Sequence, residues 1–467
     1  MTDAPPMTPS NCNPLLRRAA WQAVLALALL AVAGLRHHLV WGGSLRWVFD
    51  VLETGCLCGF AWFGACAWLA AMRIVSDGSP GLRQLILLSL PILAMAVAVP
   101  AFLSADIVDY AMRGRVLALH GGNPYTQMAT DFPDDPFLMF GDSAWKQFPL
   151  PYGPLVADLQ GVVAWLANLC SFLPAKAEFL LAAALFKAVF AASLLACACL
   201  ARDICRHLGR SDHDVAFVAV LWNPLLLNEG IATAHNESLV LLTLLIALRG
   251  ALVGRGAVSG FSLGLGVLTK IVPVLLGPVL LVWAMRRRQL LGFAIGGCSS
   301  LVLLGLYYLR FFDEPGALDF LQKQSGVVGA SPAWAIATVL GIDTPNVLTV
   351  GRGIVVVVVL VMSVQLWRRP EPEQLLHASA AILAAMVCFG TGHFGPWYHI
   401  WWIPLAMIGR PGFLQRFALV ATVTAPLCYV AWTSARILDE RHEWVQLSMG
   451  LLVPAVVACF WRPTASD

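Results

Sequence analysis

Charge is scarce in this sequence. Of 467 residues only 12% are Asp, Glu, Lys or Arg, while 59% are hydrophobic, and the mean hydropathy is +0.76. Soluble globular domains carry about a quarter charged residues, so that class is excluded. No basic patch interleaved with aromatics is present, which removes a nucleic-acid partner. The twelve cysteines form no CxxC; they include C-x-C pairs at Cys56/Cys58 and Cys197/Cys199 and sit mostly inside apolar runs, where cysteine packs as a small hydrophobe. A metal centre would need convergent His and Cys at ligand spacing. That spacing is missing and no cofactor is expected, although Asp106 and Asp109 could hold a divalent metal together with Glu237 without forming a tight ligand set. Internal repeats, a nucleotide-binding segment and a separate soluble domain are missing as well.

What is there instead is a series of apolar runs, each near the roughly 20 residues that cross a bilayer as a helix. They fall at 19–35, 51–72, 84–103, 178–200, 215–231, 239–253, 258–285, 290–310, 353–367, 375–390, 400–408, 413–432 and 444–461. The run 258–285 is too long for one crossing and reads as a hairpin of two short helices broken near Lys270 and Pro273. The expected fold is an all-α polytopic membrane protein of about 12–14 transmembrane helices. It forms one integral membrane domain over 1–467: a three-helix segment at 1–103, an extracytoplasmic loop with juxtamembrane helices at 104–177, and the remaining helices from 178 onward. Arg17-Arg18, an apolar run and Ala31-Val32-Ala33 imitate a signal peptide, but a retained first span is the preferred reading.

Arginine distribution sets the orientation. Arg17-Arg18, Arg73, Arg83, Arg202, Arg206, Arg210, Arg255, Arg286 to Arg288, Arg368-Arg369, Arg410 and Arg416 all fall on the cytoplasmic side. This holds if the apolar stretch 155–173, which contains Asp158 and Asn168, re-enters or lies in the interface. Segments 104–152, 232–238, 311–346, 391–399 and 434–443 then face outward.

The polar residues gather in those outward segments. In "SADIVDYAMRGRVLALHGGNPY", Ser104 can cap a helix that Gly121-Gly122 ends. On it Asp106, Asp109, Tyr110 and Arg113 share one face. The plain alternative is an amphipathic interfacial helix with an Asp109/Arg113 pair. "NEGIATAHNES" adds Asn228, Glu229, His235, Asn236 and Glu237 at another outward helix end. So many polar groups bordering a span are expensive unless they serve a water-accessible site. Lys270 is a further intramembrane charge, and "TGHFGPWYHIWW" supplies His393, Trp397, Tyr398 and His399. For Trp401 and Trp402 an aromatic interface belt is the competing reading.

Taken in order, "DIVDYAMRGRVLALHGGNPY", "YGPL" at Tyr152 to Leu155, "WNPLLLNEGIATAHNES", "GFSLGLGVLTKIVPVLLGPVLL" and "GPWYHIWWIPLA" resemble the motifs of the GT-C membrane glycosyltransferases. The resemblance is closest to the bacterial α-mannosyltransferases and glycosyltransferase family 87, and it covers the chain from Ser104 to about Leu405. One departure is that Glu237 stands where the family usually has the Asp of His-Asn-Asp.

The resemblance implies a GT-C-like bundle with a large first catalytic extracytoplasmic loop, in a bacterial inner membrane. It implies transfer of a hexose, mannose-like, from a polyprenyl-phosphate carrier to a glycan or lipid acceptor on the outer face. Asp106 would be the base, with Asp109 beside it. Arg113, Arg115 and Lys270 would meet the donor phosphate. Asn123 and Tyr125 would fix the loop over the acceptor. Tyr110, Tyr152, Glu229, His235, Asn236, Glu237, His393, Trp397, Tyr398 and His399 would contact sugar or acceptor. The alternative from another class is a transporter or flippase of a lipid-linked or polar substrate, which predicts an inverted repeat and paired broken helices.

Overall fold

The computed structural model describes residues 9–38, 46–140, 144–312, 316–318, 327–433 and 442–461. The expected outward segment 434–443 lies almost wholly outside them, as does part of 311–346. Among the described residues all regular structure is helical, apart from one isolated parallel bridge between Gly329 and His393. The chain is an all-α polytopic membrane protein.

Among the described residues eight helices are long and apolar enough to cross a bilayer, or nine if the pair His213–Leu221 and Pro224–Ala232, bent by 45°, is one span. Shorter apolar helices at Leu82–Ala98, Gly256–Thr269 and Val272–Arg286 add three more elements. The first half of the chain forms α1 (Pro9–His38), α2 (Arg46–Asp77), α3 (Leu82–Ala98), α4 (Asp106–Ala118), α5 (Pro154–Asn168) and α6 (Ala175–His207). There follow α7 (His213–Leu221), α8 (Pro224–Leu227), α9 (Glu237–Leu252), α10 (Gly256–Thr269), α11 (Gly277–Arg286) and α12 (Leu290–Phe311).

Packing in α1 follows the helical period. Leu16, Ala19, Ala23, Leu27 and Leu30 are buried in the main core while Trp21, Leu25 and Val32 are exposed. A helix that is apolar on both faces is a membrane helix, its outer face covered by lipid. The segment that imitates a signal peptide is therefore one wall of the bundle.

Contacts between loops divide the bundle into two ends. At one end Asp214 holds Arg202 (2.5 Å) and Ser79 (2.6 Å), Arg210 donates to the Ile408 carbonyl (2.7 Å) and Arg287 to that of Pro370 (2.5 Å). Arg410 pairs with Glu371 at the same end. These are the loops that the arginine pattern assigns to one side. At the other end Asn123 donates to the Phe311 carbonyl (2.8 Å), and the backbone N–H of Gly153 to that of Thr269 (3.0 Å).

α5 stays at this second end. It begins beside Thr269, and the helix after it, α6, carries in its first turn Glu178, which pairs with Arg115 of α4 at 2.7 Å. Its 15 residues run back along α4. The two helices touch at Gly114, where a Cβ would lie 2.2 Å from the Gln160 carbonyl oxygen. The stretch 155–173 thus leaves and returns on one side.

Candidate active site

Four chain segments build the site, each for a local reason. The first is α4, which starts at Asp106, two residues after the expected cap Ser104. Ser104 Oγ accepts the Asp106 N–H at 3.1 Å and donates to Asp106 Oδ1 at 3.1 Å. The helix ends at Ala118, and the chain turns through Gly121 at φ +66°. The plain alternative of an interfacial helix does not hold, because α4 is buried on almost every side from Ile107 to Val116.

In the second segment Asn223-Pro224 opens α8: the Asn223 side chain accepts from the N–H groups of Leu225 and Leu226, and Pro224 takes the first helical position. The helix runs into a π turn, Asn228–Ala232, a form that concentrates at functional sites. Ala234 follows in the left-handed region (φ 62°), unusual for a residue with a Cβ. It turns the chain so that the His235 N–H reaches the Glu229 carbonyl at 2.9 Å and the His235 ring faces α4.

The third segment is the break after α10. Lys270 is extended (φ −157°, ψ 143°), and the helix restarts through a 3-10 turn containing Pro273. The expected broken hairpin is present, with Lys270 at the break. The fourth is Pro396–Trp401, a 3-10 turn that places Trp397 against His235, rings stacked with centroids 4.3 Å apart.

Asp106 is the hub. Its Oδ2 accepts from the hydroxyls of Tyr152 (2.9 Å) and Tyr110 (3.3 Å) and faces His235 Nδ1 (3.1 Å). Burial alone would push this carboxyl up, but His235, the Tyr152 hydroxyl and the Lys270 charge outweigh it and hold it well below the usual carboxylate range. Burial likewise opposes the charge on His235, yet Asp106, then Glu229 and Glu237, raise it above its ordinary value. Behind His235, its Nε2 is 3.6 Å from Glu229 Oε2, which in turn accepts from Tyr429 at 2.8 Å. Lys270 Nζ is 2.5 Å from Glu237 Oε1 and 5.4 Å from the ring centres of Tyr152, Tyr398 and Trp401. Among the described residues no group of three His, Cys, Asp or Glu side chains is arranged to hold a metal ion.

Residues 18–287, more than half of the chain, match the family model described as alpha-(1->6)-mannopyranosyltransferase, N-terminal domain. The chain belongs to this mannosyltransferase family. It is a membrane glycosyltransferase. Comparison with curated proteins finds no match. The family region holds Asp106, Tyr152, Glu229, His235, Glu237 and Lys270, whereas Trp397, Tyr398 and Tyr429 come from the second half of the chain.

The structure gathers most of the expected residues of this mannosyltransferase and places others elsewhere. Arg115 is not at the hub. Nine residues after Asp106 is half a turn off its face, and there the guanidinium pairs with Asp135 (2.8 Å) and Glu178 (2.7 Å) over the Phe137 ring. It clamps the segment around Asp135 to α6, away from the Asp106 hub.

His399 is also removed: its ring bonds to the Gly450 carbonyl (2.9 Å) and accepts from Trp402 Nε1 (3.0 Å), wholly buried. Trp401 and Trp402 are buried too, so neither belongs to an interface belt. Asn123 and Tyr125 fix the loop that follows α4, Asn123 through the Phe311 carbonyl. Tyr125 donates to the Tyr152 carbonyl at 2.9 Å and packs on Phe311 and Phe312. His393 lies at the margin, 6.2 Å from Trp397 by ring centres. Arg113 is buried and donates to the Phe148 carbonyl at 3.4 Å; Asp109, one turn before it, is buried as well. Asn236 is fully buried beside the hub. Tyr429 was not signalled by the sequence, being one hydroxyl in an apolar run.

The "YGPL" motif has a steric reason. A Cβ on Gly153 would lie 2.0 Å from the Leu268 carbonyl oxygen, so only glycine lets this loop clip onto the end of α10 and carry Tyr152 between Asp106 and Lys270. Gly153→Ala is expected to lower sugar transfer tenfold or more and to cost about 1–3 kcal/mol of stability, measured by initial rates and thermal unfolding in detergent.

Proposed function

We propose that the protein transfers a hexose, mannose first among candidates, from a polyprenyl-phosphate-linked donor to a glycan or lipid acceptor on the extracytoplasmic face of a bacterial inner membrane, in a GT-C-like manner. One observation carries this reading. Tyr152 bonds Asp106 through its hydroxyl and lies against Lys270 with its ring, so a carboxylate and a cation flank one side chain. Transfer of a sugar from a phosphate needs that pair: a base for the incoming hydroxyl and a charge for the departing phosphate.

The roles follow from the bonds. Asp106 Oδ2 is engaged by three donors, while Oδ1 holds only the Ser104 hydroxyl. Being the less engaged oxygen among the described residues, Oδ1 is the one that takes the acceptor proton as the acceptor oxygen bonds to the anomeric carbon. The anomeric C–O bond to phosphate breaks in the same step, and its electron pair leaves on the phosphate oxygen. Lys270, screened by three aromatic rings, meets that charge, with Arg113 as the second cation near Tyr152. Cation–π contacts keep a buried ammonium tolerable between turnovers, and the Glu237 carboxylate balances it. No cofactor is needed in this scheme.

Incubation of purified protein with a panel of polyprenyl-phosphate sugars, following release of the carrier phosphate, tests the donor. The face is tested separately. In a cysteine-free background, Asp131→Cys is expected to react with an impermeant thiol reagent added outside intact cells and Arg206→Cys is not, both positions being exposed. Reaction of the cysteine at 206 from outside would invert the orientation.

A further inference from the structure

His235 presents each ring nitrogen to a carboxylate: Nδ1 to Asp106 at 3.1 Å and Nε2 to Glu229 at 3.6 Å. A neutral imidazole has one N–H and one lone pair, so in this setting it would aim a lone pair at a carboxylate. An imidazolium turns an N–H toward each: Nδ1 is hydrogen-bonded to Asp106, while Nε2, buried and without a hydrogen-bond partner among the described residues, has Glu229 within ion-pair distance. Glu229 has no exposed surface and is held on its other sides, Oε2 by the Tyr429 hydroxyl (2.8 Å) and Oε1 by the Asn228 amide (2.8 Å). The result is one line of contacts, Tyr429, Glu229, His235, Asp106, running from the second half of the chain to the base.

We propose that Glu229, seated by Tyr429, is a positioning residue that acts through His235: it keeps the ring doubly protonated and aimed at Asp106 Oδ2, which leaves Oδ1 as the oxygen that receives the acceptor proton. This assigns Glu229 a place behind the base and not against the sugar, and it gives Tyr429 a function. The inference rests on the proposed transfer reaction for its kinetic consequence only; the state of the ring is independent of any substrate.

The charged and titratable groups that face His235 and its partners in this line are Asp106, Glu237, Lys270, Tyr110, Tyr152 and, beside Tyr429, Cys428. Of these, Asp106 and Glu237 favour the imidazolium together with Glu229. The sign is then fixed. The arrangement is intact while His235 is charged and is lost as pH rises through its raised value. Removing one of its carboxylates lowers that value.

The test is Glu229→Gln, which keeps the shape and removes the charge, with Tyr429→Phe as a second, milder variant. Two readouts are taken: the basic limb of the pH–rate profile, and the titration of the His235 ring in ¹⁵N-histidine-labelled protein, assigned by its disappearance in His235→Gln. In Glu229→Gln both midpoints are expected to move down by about 1–3 pH units, the effect of one nearby opposite charge. In Tyr429→Phe they move the same way by less, because Glu229 keeps its charge but loses the hydroxyl that seats Oε2 toward the ring. Ring titration unchanged in both variants would overturn the proposal, even if both lost activity, since a purely structural role leaves the ring alone. If no lipid-phosphate sugar is a donor while the ring titration still moves, the reaction is wrong and the relay stands. If transfer proceeds and the titration does not move, the relay is wrong and the reaction stands.

Discussion

Asp106→Asn is expected to lower sugar transfer by about a hundredfold or more, the contribution of a positioned general base, without loss of the folded protein. The amide keeps the size of the carboxylate and can still accept from Tyr152 and Tyr110 through its oxygen, but it cannot take a proton. It also removes one of the charges that hold His235, so a small loss of thermal stability accompanies the loss of rate. Acceptor binding changes little if the role is in the chemical step, so kcat falls and KM does not rise in proportion. Asp109→Asn, on the same helix but buried and outside the hub, costs less. The opposite ranking would exchange the roles of the two aspartates. Full activity of Asp106→Asn would remove the base from the mechanism.

Lys270→Gln is the second large effect, and it is double. It removes the cation proposed to meet the leaving phosphate, an interaction worth about a hundred- to a thousandfold in kcat when one such donor is lost. It also leaves the Glu237 carboxylate, only 2% exposed, without its partner. Breaking a buried pair from one side costs about 3–5 kcal/mol, read as a clear drop in Tm in detergent. The two effects separate in the double variant Lys270→Gln/Glu237→Gln, where no charge is stranded. Stability is expected to return there and turnover is not. Recovery of both would make the pair a structural element only.

How much of this the sequence discloses depends on distance along the chain. The broken hairpin was legible at Lys270, because an apolar run of that length cannot be one crossing and a proline follows. The common face of Asp106 and Tyr110 was legible from helical spacing, and the two ends of the bundle from the arginines. The place of Arg115 away from the hub is also legible from helical spacing, which sets it half a turn from Asp106, but its partners Asp135 and Glu178 are not. The pairs Asp106/His235 and Glu237/Lys270 join residues far apart in sequence, and no local pattern specifies such contacts. His399 was drawn to the site by its neighbours; the 3-10 turn of Pro396–Trp401 sends Trp397 and His399 in different directions, which spacing for an α-helix cannot foresee. Tyr429 carries no motif at all and is found only by following the bonds of Glu229.

The central claim is that the Asp106–Tyr152–Lys270 cluster transfers sugar from a lipid phosphate. It is tested most directly with purified protein, polyprenyl-phosphate mannose labelled in the sugar, and an acceptor mixture from the envelope, measuring labelled glycoside and carrier phosphate together. The two are expected to appear in equal amounts, and Asp106→Asn is expected to abolish both. Movement of intact labelled lipid across a vesicle bilayer, with neither glycoside nor carrier phosphate formed, would contradict it and make the protein a lipid-linked sugar transporter.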